Sequence, residues 1–256
     1  MYKNRFNLND KEVLVLGGFG LIGFETVNGL LQLGAKVLLL DKNLDEKKLK
    51  FLKDKFQERI NFKKFDLTKN KINEFKKILK AHSIYINCSY PKSKDWSENN
   101  FSKISDKVLK NSLGKNLVPS ITTAITFAEH LKKKKKAGSI IQLSSIYGLV
   151  AQNPNIYKNT KLKENNSYTI IKSSLLHFSK QMCSYYSKNN IRINSVCPGG
   201  VRSKKDKNQS KIFLRNYKKF VPIKRLAEPN EIASCIIFLS MDASSYITGS
   251  TLIVDG

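Results

Sequence analysis

The amino-acid sequence predicts an α/β protein in which one domain, spanning residues 1–256, forms a three-layer, doubly wound parallel sheet. Short apolar runs rich in leucine or β-branched residues alternate along the chain with longer segments of helical periodicity. These runs are apolar on both faces, which is typical of strands buried between two layers of helices. No internal repeat or linker-like composition interrupts the series, so we expect a single domain.

The elements can be assigned in order from the amino end. The segment EVLVLGG from Glu12 predicts a strand, residues 21–33 predict a helix with one apolar face, and Gly34 ends that helix before the strand AKVLLLD. The same alternation then predicts the strand INFKKFD, the helix KINEFKKILKA, the strand SIYINCS, a long helix between 104 and 131, the strand GSIIQLSS, a helix that carries Tyr168, the strand IRINSVCPGG, a helix opened by Pro229, and the strand STLIVDG.

Length and composition favour a reduced, soluble, cytoplasmic protein. A chain of 256 residues with 41% hydrophobic content can bury a full core without a metal or a disulfide. The four cysteines are far apart, with no C-x-x-C pair and no histidine cluster, so we expect no metal site and no disulfide framework. The amino terminus lacks the apolar core of a signal peptide, and no apolar run is long enough to cross a bilayer. We therefore expect no association with a membrane.

The formal charge of +26 comes mainly from lysine and raises the question of nucleic-acid binding. The lysines are scattered over the whole chain, and arginine, the better reader of bases and phosphates, is sparse. The run LKKKKKAG (131–138) is typical of a solvated helix end, where the helix dipole favours cations. We expect no specific nucleic-acid partner, and the alternative of a nucleic-acid-binding protein predicts binding to random DNA with a steep salt dependence.

The first predicted strand leads into GGFGLIG, which spaces Gly17, Gly20 and Gly23 three residues apart where strand turns to helix. Glycines at this point allow a tight turn and a close backbone approach to a pyrophosphate, and the helix amino terminus supplies N–H groups. Asp41 ends the second strand, where a carboxylate accepts hydrogen bonds from a ribose. Its charge favours NAD over NADP, although the neighbouring Lys42 weakens that preference.

Tyr168 and Lys172 are four residues apart in the segment YTIIK and therefore share one helix face. An ammonium near a phenol stabilises the phenolate, and lowering a tyrosine pKa from about 10 to near 7 requires roughly 4 kcal/mol. Tyr168 would then act as a general acid or base toward a ketone or an alcohol. By strand alternation, only one of Ser144 and Ser145 faces the ligand, and the three histidines lie outside every motif.

Over essentially its whole length the chain resembles the short-chain dehydrogenase/reductase family, whose fold is Rossmann-like. The resemblance rests on GGFGLIG, FDL at Asp66, INCSY at Asn87, KNSLG at Asn111, IIQLSSIYG at Ser145, YTIIK, CPGGV and the closing TGSTLIVDG, in the family's order. It implies a catalytic set of Asn111, Ser145, Tyr168 and Lys172. It implies cofactor contacts from Gly17, Gly20, Ile22, Gly23, Asp41, Asp66, Leu67, Asn87, Tyr168, Lys172 and Val201. A homodimer or homotetramer is also implied.

The resemblance further suggests what each catalytic residue does. Ser145 would hydrogen-bond the substrate oxygen as charge develops on it, and Asn111 would hold a water that connects Lys172 to solvent. Hydride transfer belongs to the nicotinamide cofactor, for which NAD is the first choice and NADP the second.

The sequence departs from the family pattern at three places. Leu16 precedes the glycine turn where a threonine is common, the family's NNAG reads Asn-Cys-Ser-Tyr at 87–90, and the gap between Ser145 and Tyr168 is long. The last two features resemble a subgroup associated with flagellin modification and surface-sugar synthesis. This resemblance implies that residues 152–166 form a substrate loop, that Tyr147, Tyr157 and Thr160 line a polar pocket with Ser145, and that the substrate is sugar-derived.

Two further functions remain open at this point. A non-catalytic Rossmann module could bind a nucleotide as a sensor, although the intact catalytic set argues against it. A reductase of 3-oxoacyl thioesters would share the fold and the catalytic set, and a basic surface could receive an acidic carrier protein.

Overall fold

The computed structural model describes residues 2–69, 71–92, 95–203 and 209–256. Within these residues, seven strands form the sheet: β1 (Glu12–Leu16), β2 (Lys36–Asp41), β3 (Ile60–Lys64), β4 (Ile84–Asn87), β5 (Gly138–Leu143), β6 (Ile191–Pro198) and β7 (Thr251–Val254). All neighbouring strands are parallel, in the order β3-β2-β1-β4-β5-β6-β7. The predicted single sheet is thus confirmed, and each predicted strand is present with ends a few residues shorter than expected.

The helices of the described residues are α1 (Tyr2–Arg5), α2 (Leu21–Gln32), α3 (Glu46–Phe56), α4 (Ile72–Ile78), α5 (Asp106–Lys133), α6 (Pro154–Tyr157), α7 (Asn166–Tyr186), α8 (Lys211–Lys218) and α9 (Pro229–Ser240). The sequence did not predict α1, α3, α6 or α8. In α3 this is understandable, because the helix is lysine-rich and Leu52 is its only buried residue. None of the helices in these ranges is long and apolar enough to span a bilayer.

Side chains of the five inner strands, β1, β2, β4, β5 and β6, alternate between two cores, one on each face of the sheet, whereas the edge strands β3 and β7 contribute to only one core. Val13 and Val15 of β1 face one core, which α2 and α9 complete, whereas Leu14 and Leu16 face the other, which α4, α5 and α7 complete. This alternation follows from the two-residue period of a strand. The five inner strands are therefore buried on both faces, as their apolar sequences predicted.

The strand order changes direction at β1, which has β2 on one side and β4 on the other. Connections that leave β1 and β4 at their carboxyl ends run to opposite sides of the sheet, and this opens a crevice between them. The glycine turn follows β1, and the segment NCSY follows β4. The fold thus brings the glycine turn and the segment that departs from the NNAG pattern together at this crevice.

A third, smaller core lies outside the sheet. Ile156 in α6 packs with Tyr217, Val221 and Leu226, and these residues join the segment 152–166 to the region of α8. Asn216 strengthens this contact, since its amide donates to the carbonyls of Ile156 and Lys158 at 3.3 and 2.8 Å. The long insertion is therefore packed against α8 and includes a short helix.

Candidate active site

A cleft of about 1220 Å³ opens at the carboxyl edge of the sheet. Its turn end is lined by residues from 16–22, 41–47 and 65–67, and its Tyr168 end by residues from 88–92, 143–145 and 198–201 with Trp96, Tyr168 and Lys172. The predicted site residues among its lining are Gly17, Gly20, Ile22, Asp41, Asp66, Leu67, Ser145, Tyr168, Lys172 and Val201. One cleft therefore contains most residues predicted to bind a cofactor or to catalyse.

The glycine turn requires glycine for steric reasons at two of its positions. Gly17 has a φ of +78°, and a Cβ there would lie 2.8 Å from the backbone of Ser89. A Cβ on Gly23 would lie 2.1 Å from the carbonyl oxygen of Gly17, so Gly23 allows α2 to pack on the turn although it does not line the cleft. Gly20 is the N-cap of α2 and provides no side-chain cap, so the first-turn N–H groups remain available to an anion at this end.

Asp41 at the end of β2 is held by backbone donors. Its Oδ2 accepts from the N–H of Phe19 at 3.0 Å, and its Oδ1 accepts from the N–H of Lys42 at 2.7 Å. The side chain of Lys42 turns toward the next strand, where its ammonium lies 3.6 Å from the carboxylate of Asp66. Asp41 therefore joins the glycine turn to β2, and Lys42 is paired elsewhere.

Asp66 borders the same end of the cleft. Burial by itself raises the pKa of this carboxyl, but two hydrogen bonds from Thr68 and the ammonium of Lys42 outweigh it and lower the pKa below its ordinary value. The backbone N–H and the hydroxyl of Thr68 donate to Asp66 at 3.0 and 2.7 Å. Asp66 is thus an ionised carboxylate that shapes the turn before Leu67.

Asn87 lies behind the cleft and is 2% exposed. Its amide donates to Gln142 at 3.0 Å, and its carbonyl oxygen accepts from the N–H of Ser89 at 3.1 Å. Because Gly17 packs on the backbone of Ser89, Asn87 supports the glycine turn from the central strand.

Tyr168 and Lys172 lie on α7 at the other end of the cleft. Lys172 is 4% exposed, its Nζ donates to the carbonyl of Leu143 at 2.7 Å, and it lies 5.6 Å from the centre of the Tyr168 ring. The hydroxyls of Ser145 and Tyr168 share a hydrogen bond. Ser144 instead donates to the carbonyl of Lys172 at 2.8 Å, so the two serines have different partners.

Burial pushes both titratable groups toward their neutral forms. It raises the pKa of Tyr168, against the opposing effect of the hydrogen bond to Ser145. It lowers the pKa of Lys172 to about 8. The site therefore holds a proton donor and a cation whose charge is only moderately stable.

The structure places Asn111 away from the lining of the cleft. Its amide donates to Asp95 at 2.7 Å, which ties α5 to the loop after β4. Asn116, farther along α5, is 3% exposed, and its Oδ1 has no hydrogen-bond partner among the described residues. Since α5 packs on α7, Asn116 is a second candidate for an amide that binds a water near Lys172, and the segment KNSLGKNL contains both asparagines.

Two aromatic side chains at the Tyr168 end were not predicted. The ring of Tyr90 lies 5.0 Å from that of Tyr168 at 75° and 5.7 Å from that of Trp96 at 83°, both edge-to-face. The ammonium of Lys172 lies 5.0 Å from the Tyr90 ring. The sequence signal was present, because Tyr90 is one of the residues that depart from the NNAG pattern.

Of the predicted substrate residues, Ser145 lines the cleft, whereas Tyr147, Tyr157 and Thr160 lie outside its lining. The hydroxyls of Tyr147, Tyr157 and Tyr217 form a hydrogen-bonded cluster, in which burial raises the pKa of each phenol. Thr160 donates to the carbonyl of Tyr157 at 2.7 Å and accepts from the N–H of Leu162 at 3.1 Å, so its hydroxyl is used within its own turn. The role of these residues toward a substrate stays a prediction.

Comparison with known proteins adds sequence similarity over nearly the whole chain. A family model described as enoyl-(acyl carrier protein) reductase matches residues 21–256. Post-translational flagellin modification protein A of Campylobacter coli is 31% identical, over 97% of this chain and 98% of its own length. The 3-oxoacyl-[acyl-carrier-protein] reductase FabG of Chlamydia muridarum is 27% identical, over 97% of both chains.

A solved structure shows the same fold. The short chain dehydrogenase from Leptospira borgpetersenii with bound NAD+ superposes with a TM-score of 0.83 and is 28% identical, over 100% of this chain and 94% of its own. The likeness covers both ends of the cleft, since no part of the chain lies outside the matched region.

Proposed function

Because this chain belongs to the short-chain dehydrogenase/reductase family, and is therefore an oxidoreductase, we propose that it interconverts a secondary alcohol and a ketone on a polar, sugar-derived substrate with NAD(H). The observation that carries the proposal is the meeting of the glycine turn with Ser145, Tyr168 and Lys172 in one cleft. A dinucleotide that lies along this cleft would extend from Asp41 to Tyr168.

The residues at the turn end suit a nicotinamide dinucleotide. The uncapped first turn of α2 offers N–H groups to a pyrophosphate, and the lack of a side chain at Gly20 would let the backbone approach it closely. The Asp41 carboxylate would accept hydrogen bonds from an adenosine ribose and would repel a 2′-phosphate. Since Lys42 is paired with Asp66, its ammonium offsets that repulsion only partly, and this supports NAD over NADP.

At the Tyr168 end each side chain has a separate task. The bound nicotinamide supplies or accepts the hydride. Tyr168 gives a proton to the substrate oxygen during reduction and removes it during oxidation. Ser145, already bonded to the Tyr168 hydroxyl, orients that proton and hydrogen-bonds the substrate oxygen. Lys172 places a positive charge near the Tyr168 ring and so favours the phenolate.

Asn111 is the amide that we first propose to connect Lys172 to solvent through a water. Its bond to Asp95 and the buried, unpartnered Oδ1 of Asn116 make Asn116 the alternative for that role. Asn111→Ala and Asn116→Ala distinguish the two candidates. Loss of the asparagine that holds the connecting water should change the pH dependence of turnover more than the affinity for NADH.

The relative in Campylobacter coli supports a sugar-related role, since its name concerns modification of flagellin. The polar segment 152–166, with Tyr157 and Thr160, and the neighbouring Tyr147 would contribute hydroxyl groups around such a substrate. The relative in Chlamydia muridarum and the family description favour a second candidate function, the reduction of 3-oxoacyl thioesters.

We also infer a homodimer or homotetramer, as the family resemblance implies, and a cytoplasmic location, which the four free cysteines support. Size-exclusion chromatography with light scattering measures the assembly state directly. A monomer at micromolar concentration would contradict that part of the proposal.

The test is a turnover screen that follows NADH and NADPH consumption with keto sugars, keto sugar acids, nucleotide keto sugars and 3-oxoacyl thioesters. We expect oxidation of NADH with at least one of the sugar compounds and a higher kcat/KM with NADH than with NADPH. Turnover of thioesters alone would select the second candidate. Binding of neither nucleotide, measured by calorimetry, would refute both.

A further inference from the structure

One side of Tyr168 is covered by an aromatic wall, which consists of Tyr90 and Trp96. Both side chains are partly exposed and line the cleft. The rings of Tyr90, Trp96 and Tyr168 contact one another edge-to-face, with ring centres 5.0 Å (Tyr90–Tyr168), 5.7 Å (Tyr90–Trp96) and 6.3 Å (Trp96–Tyr168) apart. A substrate whose reacting carbon lies at Tyr168 therefore meets aromatic rings on that side.

The aromatic wall is held in place by buried polar contacts of the loop that carries it. The amide of Asn165 donates to the carbonyl of Trp96 at 3.3 Å, and the N–H of Asn166 donates to the carbonyl of Asn99 at 2.7 Å. Asn99 is 1% exposed, so the loop is anchored beneath the surface. The same Asn165 caps α7 by accepting from the N–H of Tyr168 at 2.8 Å. The Asn165 side chain thus fixes Trp96 relative to the general acid/base, which preorganises this part of the binding surface.

The charges at this end of the cleft have one sign. Among the described residues that line the Tyr168 end, Lys92 and Lys172 are the only charged side chains. Lys172 is buried and donates to Leu143, whereas Lys92 is exposed and its ammonium lies 5.5 Å from the centre of the Trp96 ring. Lys92 is therefore the cation that a ligand on the aromatic wall can reach.

We propose that Tyr90, Lys92 and Trp96 recognise the substrate, and that the substrate is a hydroxylated ring or chain that carries a carboxylate or phosphate group. The aromatic wall packs against the C–H face of the sugar. Aromatic rings bury such apolar surface, while the hydroxyl groups at the edge of the sugar stay free to form hydrogen bonds. Lys92 binds the anionic group at the mouth of the cleft. This inference rests on the proposed function, because it assumes that the reacting carbon lies at Tyr168.

Trp96 is the only tryptophan of the chain, so tryptophan emission reports on the aromatic wall alone. The protein saturated with NAD+ is titrated with D-gluconate, D-glucose 6-phosphate and neutral D-glucitol. We expect at least one anion to change the emission with a Kd about fivefold or more below that of D-glucitol, since one charged hydrogen bond supports such a difference. Gluconate and glucose 6-phosphate separate a carboxylate from a phosphate.

Substitutions assign the effect to the named residues. Lys92→Gln should remove the preference for the anion, whereas Lys103→Gln, an exposed lysine of the same loop outside the cleft lining, should retain it. With the best keto sugar of the turnover screen, Trp96→Leu should raise KM about tenfold with little change in kcat, and Trp96→Phe should restore most of the loss.

Equal Kd values for D-glucitol and both anions, or emission that none of them changes, would overturn the inference. So would an unchanged KM in both Trp96→Leu and Lys92→Gln. A calorimetric titration with NADH distinguishes a failure of the proposed function from a failure of the recognition inference. If NADH does not bind, the proposed function fails; if NADH binds and keto sugars turn over without any dependence on Lys92 and Trp96, only the recognition inference fails.

Discussion

The two ends of the cleft are built in different ways. The turn end consists of the residues that directly follow β1, β2 and β3, together with the first turns of α2 and α3. The Tyr168 end collects side chains from the loops after β4, β5 and β6 and from α7. Both ends follow neighbouring strands, but the lining of the turn end comes from residues 16–67, whereas the lining of the Tyr168 end comes from segments spread over residues 88–201.

The chemistry of the two ends differs as well. The described lining of the turn end carries four carboxylates, Asp41, Asp45, Glu46 and Asp66, against the ammonium groups of Lys42 and Lys47. The described lining of the Tyr168 end carries two ammonium groups and no carboxylate. At the turn end, the groups that we propose to bind the nucleotide are mainly backbone N–H groups and glycines. At the Tyr168 end, the proposed binding groups are hydroxyl, ammonium and aromatic side chains. The comparison suggests that binding of the nucleotide and chemistry on the substrate can be impaired separately.

The largest expected effect separates the two ends directly. Tyr168→Phe removes the proton-transfer hydroxyl, so we expect kcat to fall about 10³-fold, within the range for loss of a general acid. NADH affinity should stay within about twofold, because the ring remains and the turn end is untouched. Steady-state kinetics and calorimetry measure the two effects. Tyr185→Phe on the same helix, where Tyr185 is 51% exposed, is the control; turnover near that of the unmodified protein in Tyr168→Phe would refute the assigned role.

The next effect concerns the cost of a buried cation at the Tyr168 end. Burial lowers the pKa of Lys172 from 10.5 to about 8, so folding is penalised while the lysine is charged in both states, below about pH 8. Stability should therefore rise as pH increases from about 8 to 10.5. Lys172→Met should stabilise the protein at pH 7 by about 2 kcal/mol, after about 1 kcal/mol is deducted for the lost hydrogen bond to Leu143, while it abolishes turnover.

Urea unfolding across pH 6 to 10.5 tests this pH dependence. The difference in the free energy of unfolding between Lys172→Met and the unmodified protein should shrink as the pH rises through the upper part of that range. Lys180→Met, an exposed lysine on the same helix, should show no such pH dependence. A gain that is independent of pH, or a loss of stability at pH 7, would contradict the electrostatic explanation.

At the turn end, Asp41→Asn should narrow the preference for NAD over NADP by about tenfold, because it removes one charge near a 2′-phosphate and keeps an oxygen for the Phe19 N–H. Turnover at saturating cofactor should change little. Calorimetric Kd values for NADH and NADPH provide the measurement. Glu46→Gln, a carboxylate at the same end without a predicted ribose contact, should shift the preference less. If the unmodified protein binds NADPH more tightly, the interpretation of Asp41 is wrong.

The smallest expected effect lies beside the Tyr168 end. Joint replacement of Tyr157 and Thr160 by alanine should raise the KM for the keto sugar about threefold, because it removes two hydroxyl groups and loosens the turn that they hold. The effect should be small because this turn lies outside the cleft lining and would make few direct contacts with the substrate. Cofactor affinity should not change. Tyr246→Ala serves as a control for a fully exposed tyrosine. Kinetics identical to those of the control would favour a purely structural segment 152–166.

Sequence patterns were sufficient where the geometry of the cleft depends on residues close together in the chain. The turn from β1 to α2, with Gly17 and Gly23, could be predicted because a tight turn and close packing exclude every side chain larger than hydrogen. The pairing of Tyr168 with Lys172 could be predicted because residues four apart share a helix face. The helix α3 was not predicted, because it is rich in lysine and Leu52 is its only buried residue, so its sequence shows no clear apolar face.

The sequence by itself determined the parallel α/β architecture, the glycine turn, the acidic end of β2 and the placing of Tyr168 and Lys172, which we propose to be catalytic, on one helix face, because each depends on spacing within one or two elements. Only the tertiary structure decided which side chains meet at the Tyr168 end. Tyr90 and Trp96 approach Tyr168 across more than 70 residues of chain, and the buried amide of Asn165 connects the backbone of Trp96 to that of Tyr168. Contacts of that kind depend on how loops from separate strands pack together, and no periodicity of the sequence encodes that packing.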